Sequence, residues 1–443
     1  MRQSHDAQFS IIESFSQHEI GVRLQKLSGL LDDFPELFHC IHQDLTCDDT
    51  RHTGRQGLSS ESVMRCLILK QTFQLSYKQL AFHLSDSASY RAFVRLPFAW
   101  SPSRSTLQAC IRAIKPETLQ YLNEQLILHW LIEGTANSHH LRIDSTVVNS
   151  HITPPSDSQL LSDGIRVLSR LMTKSKDRIG IKLRFTDQRK KAKHLAFKIF
   201  NAKNADKEAL YPKLLGLAKR VMKQSARSLE RVMAVAGNSH AWCNEVQHYQ
   251  GLLERVIKQT TRRVINKEKV SSSEKLVSLF EPHTDIIVKG FRDVQYGHKI
   301  NLATELSGYI THCSIEQGNT SDRDLFLPVL KLHKETYGQI PFRTIADGGY
   351  ASQKNVQKGR AMGVQSVGFQ KNVGLTLRAM GLQQKTLKKL AHFRAGIEGN
   401  ISELKRAFGC SVAKWKQWSG FQAFVWSSIL SYNLNRYVRL NSS

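Results

Sequence analysis

Leu141-Arg142-Ile143-Asp144-Ser145-Thr146-Val147-Val148 decides how this chain is read. Apolar and polar residues alternate along it, the pattern of a strand with one face on a core. With Leu141, Ile143 and Val147 inward, Asp144 and Thr146 point to the opposite face, and the strand presents a carboxylate. Far downstream, Phe342-Arg343-Thr344-Ile345-Ala346 reads as another strand, ending on Asp347 and stopped by Gly348-Gly349. A third acid, Glu398, lies in a segment with helical spacing. Acids delivered by a strand middle, a strand end and a helix can converge on one point.

Phosphodiester transfer needs a nucleophile in line with the leaving oxygen and neutralisation of the charge between them. Two Mg²⁺ ions roughly 3.5–4 Å apart do both, and Mg²⁺ takes a few carboxylate oxygens plus water and phosphate. Asp144, Asp347 and Glu398 are therefore the candidate catalytic and metal-holding residues, with Mn²⁺ expected to substitute. His39, Cys40, His42 and Cys47 crowd together, but their spacing fits no standard zinc site.

The Glu398 segment carries more than its acid. Arg394, Glu398, Ser402 and Lys405 fall on one helical stripe, and Ile397, Ile401, Leu404 and Phe408 on the apolar stripe beside it. Arg394 and Lys405 are expected to hold DNA phosphates on either side of the acid. Gly396 and Gly399 weaken a helix by about 1 kcal/mol each and so call for a reason, such as a close approach.

The bulk numbers agree with a nucleic-acid partner. The 443 residues carry 63 Lys and Arg against 37 Asp and Glu, a net charge of +26, which implies a polyanion and says little about fold. Residues 171–270 hold 24 Lys and Arg against 8 Asp and Glu, so most of the surplus is local. Within that stretch Arg189, Lys190, Lys191 and Lys193 are the candidate DNA contacts. The seven scattered cysteines include no CxxC pair, against a disulfide framework or a zinc ribbon. No signal-peptide pattern opens the chain, and its longest apolar run, Leu126 to Ile132, is too short to span a bilayer. A soluble, cytoplasmic, nucleoid-associated protein is expected, with no membrane partner.

Residues 1–135 read as a helical domain. Segments opening at Ser59, Ser76 and Ala88, with a polar break at Ser85-Asp86-Ser87, are compatible with a helix-turn-helix that binds DNA. Residues 136–156 hold the first catalytic strand, 157–280 a basic helical insertion, and 281–443 the rest of the catalytic core with a C-terminal helix. Strands are expected at Asp285–Val288, His298–Leu302 and Tyr309–Ile315, with turns at Gly290 and Ser307-Gly308. Helices near Asp322–Thr336 and Ser352–Met362 and a strand over Val364–Phe369 complete the order. That is an α/β mixed sheet of ribonuclease-H-like order with an insertion after its first strand. Asp157, Asp163, Asp322 and Asp324 read as cap or turn residues, His298 as a structural histidine, and Trp415, Trp418 and Trp426 as core.

Arg394-x3-Glu398-x6-Lys405 resembles the R-E-K part of the Y-R-E-K signature of bacterial insertion-sequence DDE transposases. The first-strand block, with Pro155-Ser156-Asp157-Ser158-Gln159-Leu160-Leu161 after it, resembles that of their ISNCY-type group. Tyr296-Gly297-His298-Lys299, Gly318-Asn319-x-Ser321-Asp322 and Ala346-Asp347-Gly348-Gly349-Tyr350 are similar to later blocks, and Leu58 through Leu80 to their N-terminal helical domain. The resemblance implies a ribonuclease-H-like core that cuts element ends with two Mg²⁺ and joins the freed 3′-OH to target DNA. Asp144, Asp347 and Glu398 would be its acids, double-stranded DNA its partner, and a homodimer the form that synapses two ends. The signature tyrosine would fall at position 391, which is Ala391. The alternatives are a DNA-binding protein that has lost catalysis and a metal-dependent nuclease without strand transfer.

Overall fold

The computed structural model describes residues 15–46, 57–97, 100–236, 241–289, 293–370 and 374–441; Cys47 and Gly290, singled out above, lie outside them. Seven helices come first: α1 (Glu19–Asp32), α2 (Pro35–Leu45), α3 (Ser60–Thr72), α4 (Tyr77–Asp86), α5 (Ala88–Val94), α6 (Arg104–Ala113) and α7 (Pro116–Ile132). Their starts follow local chemistry. Ser59, Ser76, Ser87 and Ser103 each accept an amide hydrogen bond as N-cap, and Ser76 with Gln79 forms a full capping box. Then come β1 (His140–Ser150) and five helices, α8 (Asp157–Thr173), α9 (Ser175–Ile179), α10 (Arg189–Asn201), α11 (Asn204–Ala236) and α12 (Ala241–Thr260). The remainder is β2 (Asp285–Lys289), β3 (Asp293–Thr304), β4 (Ile310–Ile315), α13 (Asp322–Tyr337), β5 (Arg343–Ala346), α14 (Gln353–Ala361), β6 (Ser366–Phe369), α15 (Leu377–Met380), α16 (Gln384–Arg406), β7 (Val412–Ala413) and α17 (Trp418–Leu440).

Contacts divide the chain into two units, residues 1–149 with 299–443, and residues 150–298. In the first, β3, β1, β5 and β6 are neighbours in that order, with β4 on β3 and β7 on β1. β4 is antiparallel to β3, whereas β5 is parallel to both β1 and β6. This is the mixed sheet expected of a ribonuclease-H-like core. Leu141 and Ile143 pack on one side with Phe326, Leu330 and Val367. Among the described residues, those of 1–135, read from sequence as a domain, close no core of their own. Their buried residues join one cluster with α17, Leu302, Ile310 and Val148. The physical reason lies in α3 and α17. All thirteen residues of α3 are buried, and α17 buries most of its length, so each needs partners all round. Trp415 and Trp426 are buried there, as expected of core aromatics.

The second unit has a separate core from α8, α10, α11 and α12. Gly164 lets α8 approach Leu253, and Trp242 donates its indole N–H to Leu171 O at 3.0 Å. Asp157 clamps the unit, accepting from Gln259 at 2.8 Å and pairing with Arg263 at 2.8 Å. His298 is fully buried, between His283 at 2.8 Å and Asp285 at 3.1 Å.

Two glycines on α16 behave differently. A methyl group at Gly396 would run into the Arg142 guanidinium, whereas nothing lies near Gly399. Gly396→Ala is expected to destabilise by about 1–3 kcal/mol, and Gly399→Ala to stabilise by up to about 1 kcal/mol, both by urea denaturation. His312 and His333 give a second expectation. Burial lowers both to about 4, and neither ring nitrogen of His333 has a partner. The unfolded chain takes up these protons at higher pH than the folded one, so their contribution is lost as pH falls from about 6.5 through 4. His333→Phe should flatten that acid limb in a stability–pH series; an unchanged limb would count against it.

Candidate active site

The register of the sheet builds the site. β1 and β5 pair in parallel with Ile143 opposite Ala346, so the next residue on each strand is an aspartate, Asp144 beside Asp347. β5 and β6 pair with Ala346 opposite Phe369, which brings Gln370 into the same row. Adjacent strands lie roughly 4.8 Å apart, so the two carboxylates stand one strand spacing from each other. Asp347 follows the last residue of β5 and begins the turn Gly348–Tyr350. Asp144 lies within β1.

α16 brings the third acid and the cation that joins all three. Arg394 Nη2 lies 2.9 Å from Asp144 Oδ2 and 3.8 Å from Asp347 Oδ1. Its Nη1 lies 3.0 Å from Glu398 Oε1 and donates to Gln370 Oε1 at 2.8 Å. The side chain of Arg394 is 9% exposed, while exposure rises from 17% at Asp144 to 41% at Asp347 and 65% at Glu398. The acids thus run from sheet to solvent around one guanidinium. Expected to reach DNA phosphates, Arg394 instead has both terminal nitrogens on the acids. Two neighbouring carboxylates repel unless a cation stands between them, and a guanidinium fork fits that place.

A second arginine fixes the helix on the strand. Arg142 donates to Thr304 Oγ1 at 2.7 Å, Phe393 O at 2.9 Å and Asn400 Oδ1 at 2.8 Å. Asn400 in turn donates to Tyr432 OH at 2.7 Å. Arg142 and Asp144 share one face of β1, so the helix that buries the first is positioned over the second. Gly396 is the close approach that makes this possible. Ile397 and Leu404 are fully buried and Phe408 nearly so, as the apolar stripe requires.

Other groups reach the site that cap chemistry alone does not reveal. Asp322 opens α13, yet its Oδ1 pairs with Lys299 Nζ at 2.9 Å and accepts from Ser145 Oγ at 3.2 Å. Its Oδ2 leaves little room beside Gly349. Tyr350 donates to Asn301 Oδ1 at 2.7 Å; burial, and then the charge of Asp322, push its phenol well above the ordinary value. Lys299 and Asp322 belong to the motif blocks Tyr296–Lys299 and Gly318–Asp322, which were the available signal.

The remaining expected contacts lie elsewhere. Lys405 is half-buried, and its charge offsets part of the burial that raises the Cys410 thiol to about 12. Arg189 is held by Asp187 at 2.7 Å, and Lys190, Lys191 and Lys193 are exposed on α10 of the second unit.

The donor set is chemically right for a hard divalent cation: three carboxylates, all oxygen, on one positive charge. Among the described residues no three of His, Cys, Asp or Glu are already grouped as a metal cage. The acids are assembled around Arg394, which marks where positive charge is accommodated. Arg394→Gln is expected to lower stability by about 1–3 kcal/mol, since it leaves carboxylates uncompensated. Adding Asp144→Asn should recover part of that loss in a double-mutant cycle; strict additivity would show that the pair does not interact.

Residues 289–434 match the family model of the Transposase DDE domain, and residues 12–112 that of a Transposase domain (DUF772). The first match takes in Asp347, Arg394 and Glu398; Asp144 precedes it, across the insertion. No curated protein and no solved structure matches the chain. On these two matches, the chain is similar to DDE transposases over its helical N-terminal region and over most of its mixed sheet.

Proposed function

We propose that this chain is an insertion-sequence transposase of the ISNCY-type group that cuts element ends and joins the freed 3′-OH to target DNA. The observation that carries the reading is the row Asp144–Asp347 across β1 and β5, with Glu398 gathered to it through Arg394. DDE transposases use divalent metals. Asp144, Asp347 and Glu398 would hold two Mg²⁺, with Mn²⁺ able to substitute. When bound, the ions neutralise the charge that builds up between attacking and leaving oxygens.

The chain's own residues then have separable tasks. Asp144 and Asp347, fixed by the strand register, set the site's position. Glu398, on an exposed side chain, closes it from the helix. Arg394 holds the acids together, and its guanidinium fork would suit a phosphate wherever the acids were otherwise compensated. The Lys299–Asp322 pair holds Ser145, the strand residue next to Asp144, whose hydroxyl donates to Asp322. Lys190, Lys191 and Lys193 form an exposed basic face suited to a DNA backbone, with Arg189 and Lys405 as further cations. Synapsis of two ends calls for a homodimer. Ala391 removes the signature tyrosine, so Arg394 and Glu398 act in this chain without it.

The test uses duplexes made from the sequences that flank the gene. With Mg²⁺ the wild-type protein should nick at the end and join the 3′-OH, and Asp347→Asn should lose both by about 10³-fold, the equivalent of the several kcal/mol a metal contributes. Equal nicking by the two proteins sinks the assignment of the acids. Nicking without joining would make the chain a nuclease, and binding without either a DNA-binding protein that has lost catalysis.

A further inference from the structure

Away from the acids, the first unit contains an opening of about 520 Å³ between α3, α4, α6 and the segment 408–424. Four cations line it, Lys70, Lys78, Arg104 and Lys414, and no carboxylate does. Lys70 is the unusual one. It lies in the last turn of α3 with 6% exposure, and its ammonium lies 4.9 Å from the centre of the Tyr77 ring and 5.8 Å from that of Trp415. Among the described residues its Nζ has no hydrogen-bond or ion-pair partner. The Tyr77 hydroxyl and the Trp415 indole N–H, both on the wall, are also buried without partners.

Two buried donors without acceptors, beside an ammonium that has no acceptor either and that solvent reaches, are a deficit that folding alone does not explain. Buried polar groups are nearly always hydrogen-bonded, and buried ammonium groups paired. The deficit has one sign, since an ammonium and an indole can only donate and a phenol donates readily. A ligand that satisfies it must bring several acceptor oxygens and negative charge. The first turn of α4, with Ser76 as its cap, and Arg104 at the start of α6 also face the opening. Helix N-termini favour the same kind of ligand. Burial, and then the charge of Lys414, lower Lys70 to about 8, so an anion in the opening would stabilise an ammonium charge that burial there disfavours.

We propose that this opening seats a backbone phosphate of bound DNA, with Lys70, Tyr77 and Trp415 as its inner donors and Lys78, Arg104 and Lys414 as its rim. The proposal rests on the reading of the chain as a DNA-handling protein, and it adds a contact that none of the acids contributes to. A phosphate is favoured over a carboxylate because its oxygens reach three donors from different directions, and DNA over a small anion because the chain carries +26 overall.

Binding of a fluorescently labelled duplex is measured by anisotropy without divalent metal, as a function of salt, in wild type, Lys70→Met and Lys70→Arg. Lys70→Met should weaken binding about 5–10-fold and reduce the log–log salt slope by about 1. Lys70→Arg should restore most of both. Thermal melting controls for folding: removing a lone ammonium should leave Tm unchanged or raised. Unchanged affinity and slope in a folded Lys70→Met protein overturn the proposal while leaving the transposase reading intact. Failure of wild type to bind DNA overturns both. If inorganic phosphate raises the Tm of wild type but not of Lys70→Met, while DNA binding is the same in the two, the site takes a free anion and the DNA seat is wrong.

Discussion

Two carboxylates on neighbouring parallel strands, one strand spacing apart, repel each other unless a cation stands between them. Asp144 and Asp347 stand in that relation, and Arg394 is the cation. Much of the first unit follows from placing it. Its helix must cross the row at a fixed height, which the buried stripe Ile397–Leu404 and the Arg142 clamp secure. Arg142 in turn needs a position without a side chain on the helix above it, and Gly396 supplies that. The other face of the sheet needs its own cover, given by α13 with Phe326 and Leu330. A charge relation in one row of the sheet therefore sets conditions on packing through both layers.

Several of these conditions are legible in the sequence. Alternation in Leu141–Val148 marks the strand, the Gly348-Gly349 stop marks the end of another, and the stripe at Ile397, Ile401, Leu404 and Phe408 marks the buried side of α16. Serine caps locate the helices from α3 to α6 to within a residue or two. The pairing of β1 with β5 is not legible, because register depends on a contact between segments separated by the whole insertion. Without the register, the sequence offers three acids but not their adjacency. For the same reason Arg394 reads as a surface cation: i,i+4 spacing pairs it with Glu398, while its contacts with Asp144 and Gln370 come from other strands. Gly396 and Gly399 look equivalent in sequence and differ only because Arg142 comes up under one of them. Asp322 is a helix-start acid by position, and only the fold brings Lys299 and Ser145 to it.

The insertion shows how a sheet can be interrupted without losing its site. The chain leaves β1 at its far end and returns through β2 and β3, strands that are antiparallel neighbours over Asp285–Lys289 and Asp293–Gly297. Loop-closure entropy grows only with the logarithm of length, so a long excursion costs little more than a short one once its ends are held. Residues 150–298 limit even that cost by folding on a core of their own. The Asp157–Gln259–Arg263 clamp and the Thr284–Ser150 hydrogen bond of 2.9 Å tie their start to their finish. This unit can carry much of the net charge because its basic residues lie on helix surfaces, away from its apolar core.

The cations of the first unit fall into two classes, and the difference bears on function. Arg65, Arg142, Lys299 and Arg394 are buried and each is met by acceptors from several elements. Such groups are structural while their partners stay put, because moving one would strand charge on both sides. Arg394 differs from the others in what it faces. Three carboxylates against one guanidinium leave an excess of two negative charges, and the Lys299–Asp322 pair beside them is neutral. The site therefore still attracts positive charge with Arg394 in place. Under the proposed function, added divalent charge would allow the guanidinium to leave the acids without stranding them. The buried position of Arg394 and a contact with a DNA phosphate would then be two states of one residue. What separates them is the charge supplied to Asp144, Asp347 and Glu398.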